Sequence, residues 1–195
     1  MITIFAPDGI DEVRPGTDLA EVVLTAVQAD PGGPLADGDI VVVTSKIISK
    51  AEGRTVPAPD RASAIRAATA RTVARRGMTA IVRNRRGLTL AAAGVDNSNV
   101  DPELILLLPE DPDASAETLR AALQLRTGLR LGVIISDTAG RAWRVGQTAH
   151  AIGAAGVLVR RSYAGEHDGY GNRLEVTEMA LADAVSYTHL TLPTN

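Results

Sequence analysis

The chain contains no cysteine. Disulfides and thiolate metal sites are thereby excluded, and any metal has to sit on oxygen or imidazole ligands. Aromatic residues make up only 3%, so the core must be assembled from Val, Leu, Ile and Ala. Positive charge is not in excess either. The formal net charge is −3, which argues against a non-specific nucleic-acid binder, a class that is strongly basic as a rule. Long apolar runs are missing as well: residues 104–108 are typical of the longest, far short of the roughly 20 residues that span a bilayer. Residues 1–7 have no basic stretch and no long apolar run, so no signal peptide is evident and a soluble, cytoplasmic protein is expected.

What is present is ordinary globular material. The 195 residues are 45% hydrophobic and 22% charged, enough for one sizeable core in one domain or in two small lobes. Asp18 and Glu21 have the spacing of a capping box ahead of an apolar stripe formed by Leu19, Val22, Val23, Ala26 and Val27, which predicts a helix. Residues 39–44 (D-I-V-V-V-T) read as a buried strand, and the Ala-rich stretch 62–76 as a helix closed by Gly77. Strands are expected at 79–83, 88–93, 105–108, 131–136 and 156–159. Helices are expected from an N-cap at Ser115 through Arg126, closed by Gly128, and over 147–155 and 175–184. The alternation of elements is imperfect, so the pattern predicts an α+β fold with a mixed sheet rather than a regular doubly wound one. The composition changes at the end: residues 186–195 (S-Y-T-H-L-T-L-P-T-N) hold no acidic or basic charge, no Gly and no Ala. A natural polar tail is one reading; the preferred one is a non-native tail on a domain spanning 1–185.

Five stretches carry chemistry. Asp96-Asn97-Ser98-Asn99 follows the apolar run 90–95, and Ser136-Asp137-Thr138 follows 131–135. Each apolar strand delivers a carboxylate with a hydroxyl or amide to a polar loop, the place where open α/β sheets put ligands. Two carboxylates with hydroxyl oxygens suit a hard cation such as Mg²⁺ or Mn²⁺ bound with phosphates; alternatively, each Asp caps its own turn. Ser45-Lys46-Ile47-Ile48-Ser49-Lys50 follows the strand at 40–43 and offers point charges and hydroxyls to a phosphate. It lacks the order of a P-loop, and an exposed strand-to-helix turn is the plain alternative. Residues 61–95 hold eight Arg and no acid, either an anion-facing surface or a solvated face. Gly140-Arg141-Ala142-Trp143-Arg144-Val145-Gly146-Gln147 places two Arg beside Asp137, with Trp143 as a packing anchor in the simplest reading. His150, His167 and His189 show no metal-ligand spacing, and no G-x-S-x-G elbow is present.

Taken in order, several of these motifs resemble one family, the coenzyme F420-0:γ-glutamyl ligases. They are G-D-I-V-V-V-T-S-K-I-I-S-K-A-E-G-R (38–54), A-A-G-V-D-N-S-N-V (92–100), I-S-D-T-A-G-R-A-W-R-V-G-Q-T (135–148), A-I-G-A-A-G (151–156) and L-E-V-T-E-M-A-L-A-D (174–183). The resemblance implies a GTP-dependent ligase that joins L-glutamate to coenzyme F420-0 through an acyl phosphate, on a mixed α/β fold incomplete at the C-terminus. It implies a homodimer, Mg²⁺ or Mn²⁺ with K⁺ as a monovalent cation, and GTP as co-substrate. Asp96, Asp137 and Thr138 match the family's metal ligands; Ser45, Lys50 and Asn99 match its GTP contacts. Ile10, Asp11, Glu12 and Val13 match its N-terminal nucleotide loop, with Asp11 where members often have Pro. Lys50 and Asp137 are the implied catalytic pair. A non-catalytic nucleotide-binding remnant of the same fold is the alternative, and a metal-dependent phosphohydrolase built on Asp96 and Asp137 is a third.

Overall fold

The structure is a computed structural model and describes residues 2–77, 79–141 and 144–188. Helix α1 (Leu19–Ala29) begins where the sequence places it: the Asp18 carboxylate accepts hydrogen bonds from the backbone N–H groups of Ala20 and Glu21, satisfying two otherwise orphaned donors. Strand β1 (Ile40–Thr44) follows and passes without a loop into α2 (Ser45–Ala51), because the Thr44 hydroxyl that ends the strand accepts from Lys46 N–H and caps the helix. A short strand β2 (Thr55–Pro57), a 3₁₀ turn and α3 (Arg61–Ala68) lead to a three-stranded meander, β3 (Thr69–Arg76), β4 (Thr79–Asn84) and β5 (Thr89–Ala91). Then come β6 (Leu104–Leu106), α4 (Pro112–Thr127), and a long hairpin of β7 (Gly132–Gly140) and β8 (Gln147–Ala155). A small hairpin of β9 (Arg160–Ser162) and β10 (Glu178–Ala180) precedes α5 (Leu181–Thr188). The α+β, mixed-sheet expectation holds: β1 pairs parallel with β7, and β7 pairs antiparallel with β8.

That mixed sheet lies between helices. On β7, Val133 and Ile135 face the core built with Ala20, Val23 and Val27 of α1, Ile48 of α2, and Ala116, Leu119 and Leu123 of α4. The alternate residues face the other way, where the buried Ser136 hydroxyl pairs with Ser186 of α5 at 2.7 Å. At one irregularity β8 has an extra residue, Ile152, between Gly153 opposite Ile135 and Ala151 opposite Ser136. There the Ala151 N–H donates to Asp183 of α5 at 2.8 Å.

Several elements differ from expectation for identifiable reasons. The helix read over 62–76 stops at Ala68, where the Thr69 hydroxyl donates to the Ile65 carbonyl and the chain becomes β3. The β-branched Thr69, Thr72 and Val73 favour a pleated partner, and β4 supplies it. The stretch 147–155, read as a helix from its small residues, is strand β8. Its residues are small because helices cover both faces of the sheet: a Cβ on Gly153 would lie 2.4 Å from the Pro112 backbone at the start of α4. Residues 156–159 form no strand, since Gly156 turns the chain with φ +67° beneath Arg120; the next strand starts at Arg160. Over 175–184, residues 178–180 pair with β9, so the helix starts only at Leu181. It continues to Thr188, taking in the first three residues of the segment read as a tail; 189–195 lie outside the described residues. The N-cap of α4 is Asp111, with Pro112 at the first helical position; Ser115 instead donates to the Asp111 carbonyl and pairs with Glu52. Strand β1, expected to be buried, is a sheet edge with Ile40 43% exposed and Val43 buried.

Two predictions test this architecture. Leu123 is fully buried in the α1–α4 core, so Leu123→Ala is expected to cost about 2–5 kcal/mol in urea unfolding; a loss below ~1 kcal/mol would contradict the packing. Asp18 also joins α1 to α4 through Arg126. That hydrogen bond, helped by the Glu21 N–H, holds the Asp18 carboxyl below its ordinary pKa. A depressed folded-state pKa stabilises above the unfolded-state value and stops doing so as pH falls through the folded one. Asp18→Ala should therefore lower the unfolding midpoint at neutral pH, with the gap to wild type closing in acid. A gap that persists in strong acid would contradict the assignment.

Candidate functional site

The parallel β1–β7 ladder ends with Thr44 opposite Ser136. One residue further along each chain, the Ser45 hydroxyl donates to the Asp137 carboxylate at 3.0 Å. Two segments 92 residues apart thus meet where the parallel ladder stops, at the carboxyl end of β1 and partway along β7, which continues to Gly140 paired with β8 instead of entering the expected polar loop. Ser45 is buried and Asp137 half-buried.

Asp96 arrives from a third direction. After β5 the chain makes a left-handed turn, with φ of +50° at Ala92, +58° at Ala93 and +77° at Gly94. Left-handed backbone is costly for residues with a Cβ, and here it is held by a buried Ala93 and by Gly94, whose missing Cβ leaves room for Leu108. Asp96 is then fixed by two backbone hydrogen bonds with Leu106 of β6, at 3.0 and 2.8 Å. One carboxylate oxygen of Asp96 caps its own turn by accepting from Ser98 N–H at 2.9 Å, as the simpler reading had it. The other accepts from the Ser98 hydroxyl and from the Lys46 ammonium.

The two carboxylates have been given different characters. Burial pushes the Asp137 carboxyl up; the Ser45 hydroxyl and the Thr138 N–H oppose this, and the charge of Asp96 adds to it. Burial acts in the same sense on Asp96, but hydrogen bonds from Lys46 and Ser98 outweigh it and hold that carboxyl below its ordinary range. Asp96 is thus the more firmly ionised of a neighbouring pair.

The other residues singled out in the sequence take varied places. Lys50 forms an ion pair with Glu12 at 2.6 Å, joining α2 to the N-terminal loop in which Ile10 and Asp11 are exposed and Val13 is buried. Thr138 presents an exposed side chain, with its backbone toward Asp137. Asn99 sits exposed in the loop after Asp96 with φ +56°. Arg141 turns its guanidinium onto the Val145 carbonyl of its own loop, and Arg144 is exposed. Trp143 and His189 lie outside the described residues. Of the eight arginines in 61–95, Arg61, Arg66, Arg71, Arg75, Arg83, Arg85 and Arg86 are exposed, and Arg86 pairs with Asp111 at 2.9 Å. Lys46, named in the 45–50 stretch as a possible phosphate charge but left out of the site residues that the resemblance implied, is the one that meets Asp96. The signal was there: the chain has only two lysines among its 20 basic residues, and they stand one helical turn apart on α2.

Among the described residues, no group of three or more His, Cys, Asp or Glu is gathered as a metal cluster. The donors that do converge are all oxygens: Asp96 and Ser98 hold the Lys46 ammonium, and Ser45 holds Asp137, whose carboxyl feels the charges of both Asp96 and Lys46. That set fits a hard divalent ion bound through one or two carboxylates and completed by phosphate oxygens.

Comparison with known proteins identifies the family. The sequence profile of the F420-0:γ-glutamyl ligases matches residues 9–76 and 58–190. The coenzyme F420:L-glutamate ligase of Methanothermobacter thermautotrophicus is 38% identical over 205 aligned positions, covering 95% of this chain and 81% of that protein. The proteins of the same name in Methanopyrus kandleri and Haloarcula marismortui are 37% and 38% identical, over 90% and 94% of this chain and 75% and 78% of theirs. The chain belongs to the F420-0:γ-glutamyl ligase family.

The left-handed turn that aims Asp96 can be tested at Ala92, which is half-buried. Ala92→Gly should leave stability within about 1 kcal/mol of wild type, because relief of the left-handed backbone offsets the added chain entropy. Ala92→Val should cost about 2 kcal/mol or more, a β-branched residue being least able to adopt positive φ. Equal effects of the two substitutions in chemical denaturation would refute the turn.

Proposed function

We propose that this chain is a GTP-dependent ligase that joins L-glutamate to coenzyme F420-0 by an amide bond in coenzyme F420 biosynthesis. The convergence of Asp96, Asp137, Ser45 and Lys46 from three chain segments is the observation that carries the reading; family membership supplies the substrates. A carboxylate is a poor electrophile. In this reading a carboxylate oxygen of F420-0 attacks the γ-phosphorus of GTP, the bond to the β-phosphate oxygen breaks, and GDP leaves. The glutamate amine then attacks the acyl carbon, the bond to phosphate breaks, and inorganic phosphate leaves as the amine nitrogen gives up its proton.

Asp96, Asp137 and Thr138 are the residues to hold Mg²⁺ or Mn²⁺, which when bound neutralises charge on the phosphates. K⁺ as a further monovalent ion belongs to the same reading. The residues of the chain do the positioning. Ser45, fixed by Asp137, and Asn99 orient the nucleotide. Lys50, held by Glu12, adds a fixed positive charge where GDP builds up negative charge. Residues 10–13 cover the nucleotide from the N-terminal side. Much of the rate then comes from alignment of three substrates. A homodimer in the cytoplasm completes the proposal. Among the described residues no helix is long and apolar enough to cross a membrane.

The test is GDP release from GTP with Mn²⁺, L-glutamate and coenzyme F420-0, read beside mass detection of the glutamylated product. Both are expected for the wild-type chain, and Asp137→Ala should reduce them by about 10²-fold or more. Nucleotide binding without product would favour a non-catalytic remnant. GDP release that needs no glutamate would favour a phosphohydrolase.

A further inference from the structure

The Lys46 ammonium stands among three oxygens: the Asp96 carboxylate, the Ser98 hydroxyl and, at 3.4 Å, the Ser98 carbonyl. An ammonium has three protons to donate, so this set leaves it saturated. The same three oxygens, with Asp137 beside them, are the kind a hard divalent cation takes. One position thus offers its ligands to two different cations. Lys46 cannot keep its bond to that Asp96 oxygen while a divalent ion takes it over.

We infer that Lys46 is the resident counter-ion of the acidic pair and competes with a divalent cation for Asp96, so that cation binding releases the Lys46 ammonium. The inference rests on the metal reading proposed above and extends it to a residue outside the expected ligand set.

Three observations support competition over a static salt bridge. The first is the placement of like charges: the charge of Asp96 reaches Asp137, and the Lys46 ammonium, hydrogen-bonded to Asp96, acts against it. The second is the choice of side chain. The chain uses arginine for nearly all of its basic positions and lysine at only two. A lysine is a compact point charge on a flexible stem, whereas a guanidinium is a planar fork that holds a carboxylate in two places. A placeholder has to let go, and lysine is the residue suited to it. The third is freedom to move. The Lys46 side chain is 27% exposed and the Asp96 side chain 37%, so the ammonium can swing to solvent without leaving a buried charge. Lys50 is the internal contrast: it is 14% exposed and paired with Glu12, away from the two aspartates.

The scarcity of lysine makes the test clean, since Lys46, Lys50 and the N-terminal amine are the only primary amines in the chain. Wild-type protein is acetylated with and without Mn²⁺ alone, no nucleotide present, and each site is quantified by mass spectrometry. Mn²⁺ is expected to raise Lys46 acetylation severalfold and to leave Lys50 unchanged. In parallel, free Mn²⁺ is followed by electron paramagnetic resonance in titrations of wild type, Lys46→Met, Asp137→Asn and, as a control, Arg85→Met at an exposed arginine outside the site. Lys46→Met should bind Mn²⁺ about five- to tenfold more tightly than wild type, the scale of one charge-assisted hydrogen bond that no longer has to be broken. Arg85→Met should differ from wild type by less than about twofold, which separates competition at Asp96 from a general change in charge. Saturable Mn²⁺ binding that is lost in Asp137→Asn, but unaffected or weakened by Lys46→Met and without change in Lys46 acetylation, would overturn the inference and leave the metal reading standing. No Mn²⁺ binding by any form would overturn both.

Discussion

Everything at the site depends on the parallel pairing of β1 with β7. Its last rung, Thr44 opposite Ser136, sets how far the first turn of α2 and Asp137 of β7 lie from each other. A slip of one residue would turn every side chain of the strand to the other face, moving Asp137 toward α5 and Ser136 toward α2. Register is protected by burial: Val133 and Ile135 belong to one core, while Ser136 is buried on the opposite face against Ser186. The hydrophobic pattern of β7 thus aims a carboxylate that takes no part in the core.

The electrostatics follow from that placement. Two aspartates brought together at a sheet end repel each other, and water is partly excluded around Asp137. The fold answers with hydrogen-bond donors from short, rigid segments: Ser45 on the first turn of α2, Ser98 in the turn after Asp96, and Lys46 between them. Two like charges held this close favour positive charge beside them, and Lys46 supplies it.

Small residues connect the fold to the same end. Gly153 lets α4 approach β8 to backbone contact, and Gly94 makes room for Leu108 beneath the turn that presents Asp96. In both places volume has been removed so that rigid elements fix a polar residue nearby. The left-handed Ala92 and Ala93 are the corresponding cost in backbone strain.

The sequence by itself determined the parts whose signal is local. The Asp18 cap, the apolar runs of β1 and β7, the αL closure of α4 at Gly128, and the order of motifs that marks the family were all legible, because capping, periodicity and glycine geometry act within a few residues. The tertiary structure alone decided which small-residue and arginine-rich stretches were strands. For 147–155 and 69–76, local propensity is weak and the hydrogen-bonding partner lies elsewhere in the chain. It alone decided that Lys46 rather than Lys50 faces the aspartates, since two lysines one turn apart are equivalent in a sequence and become different only when the rest of the chain supplies Glu12 to one and Asp96 to the other.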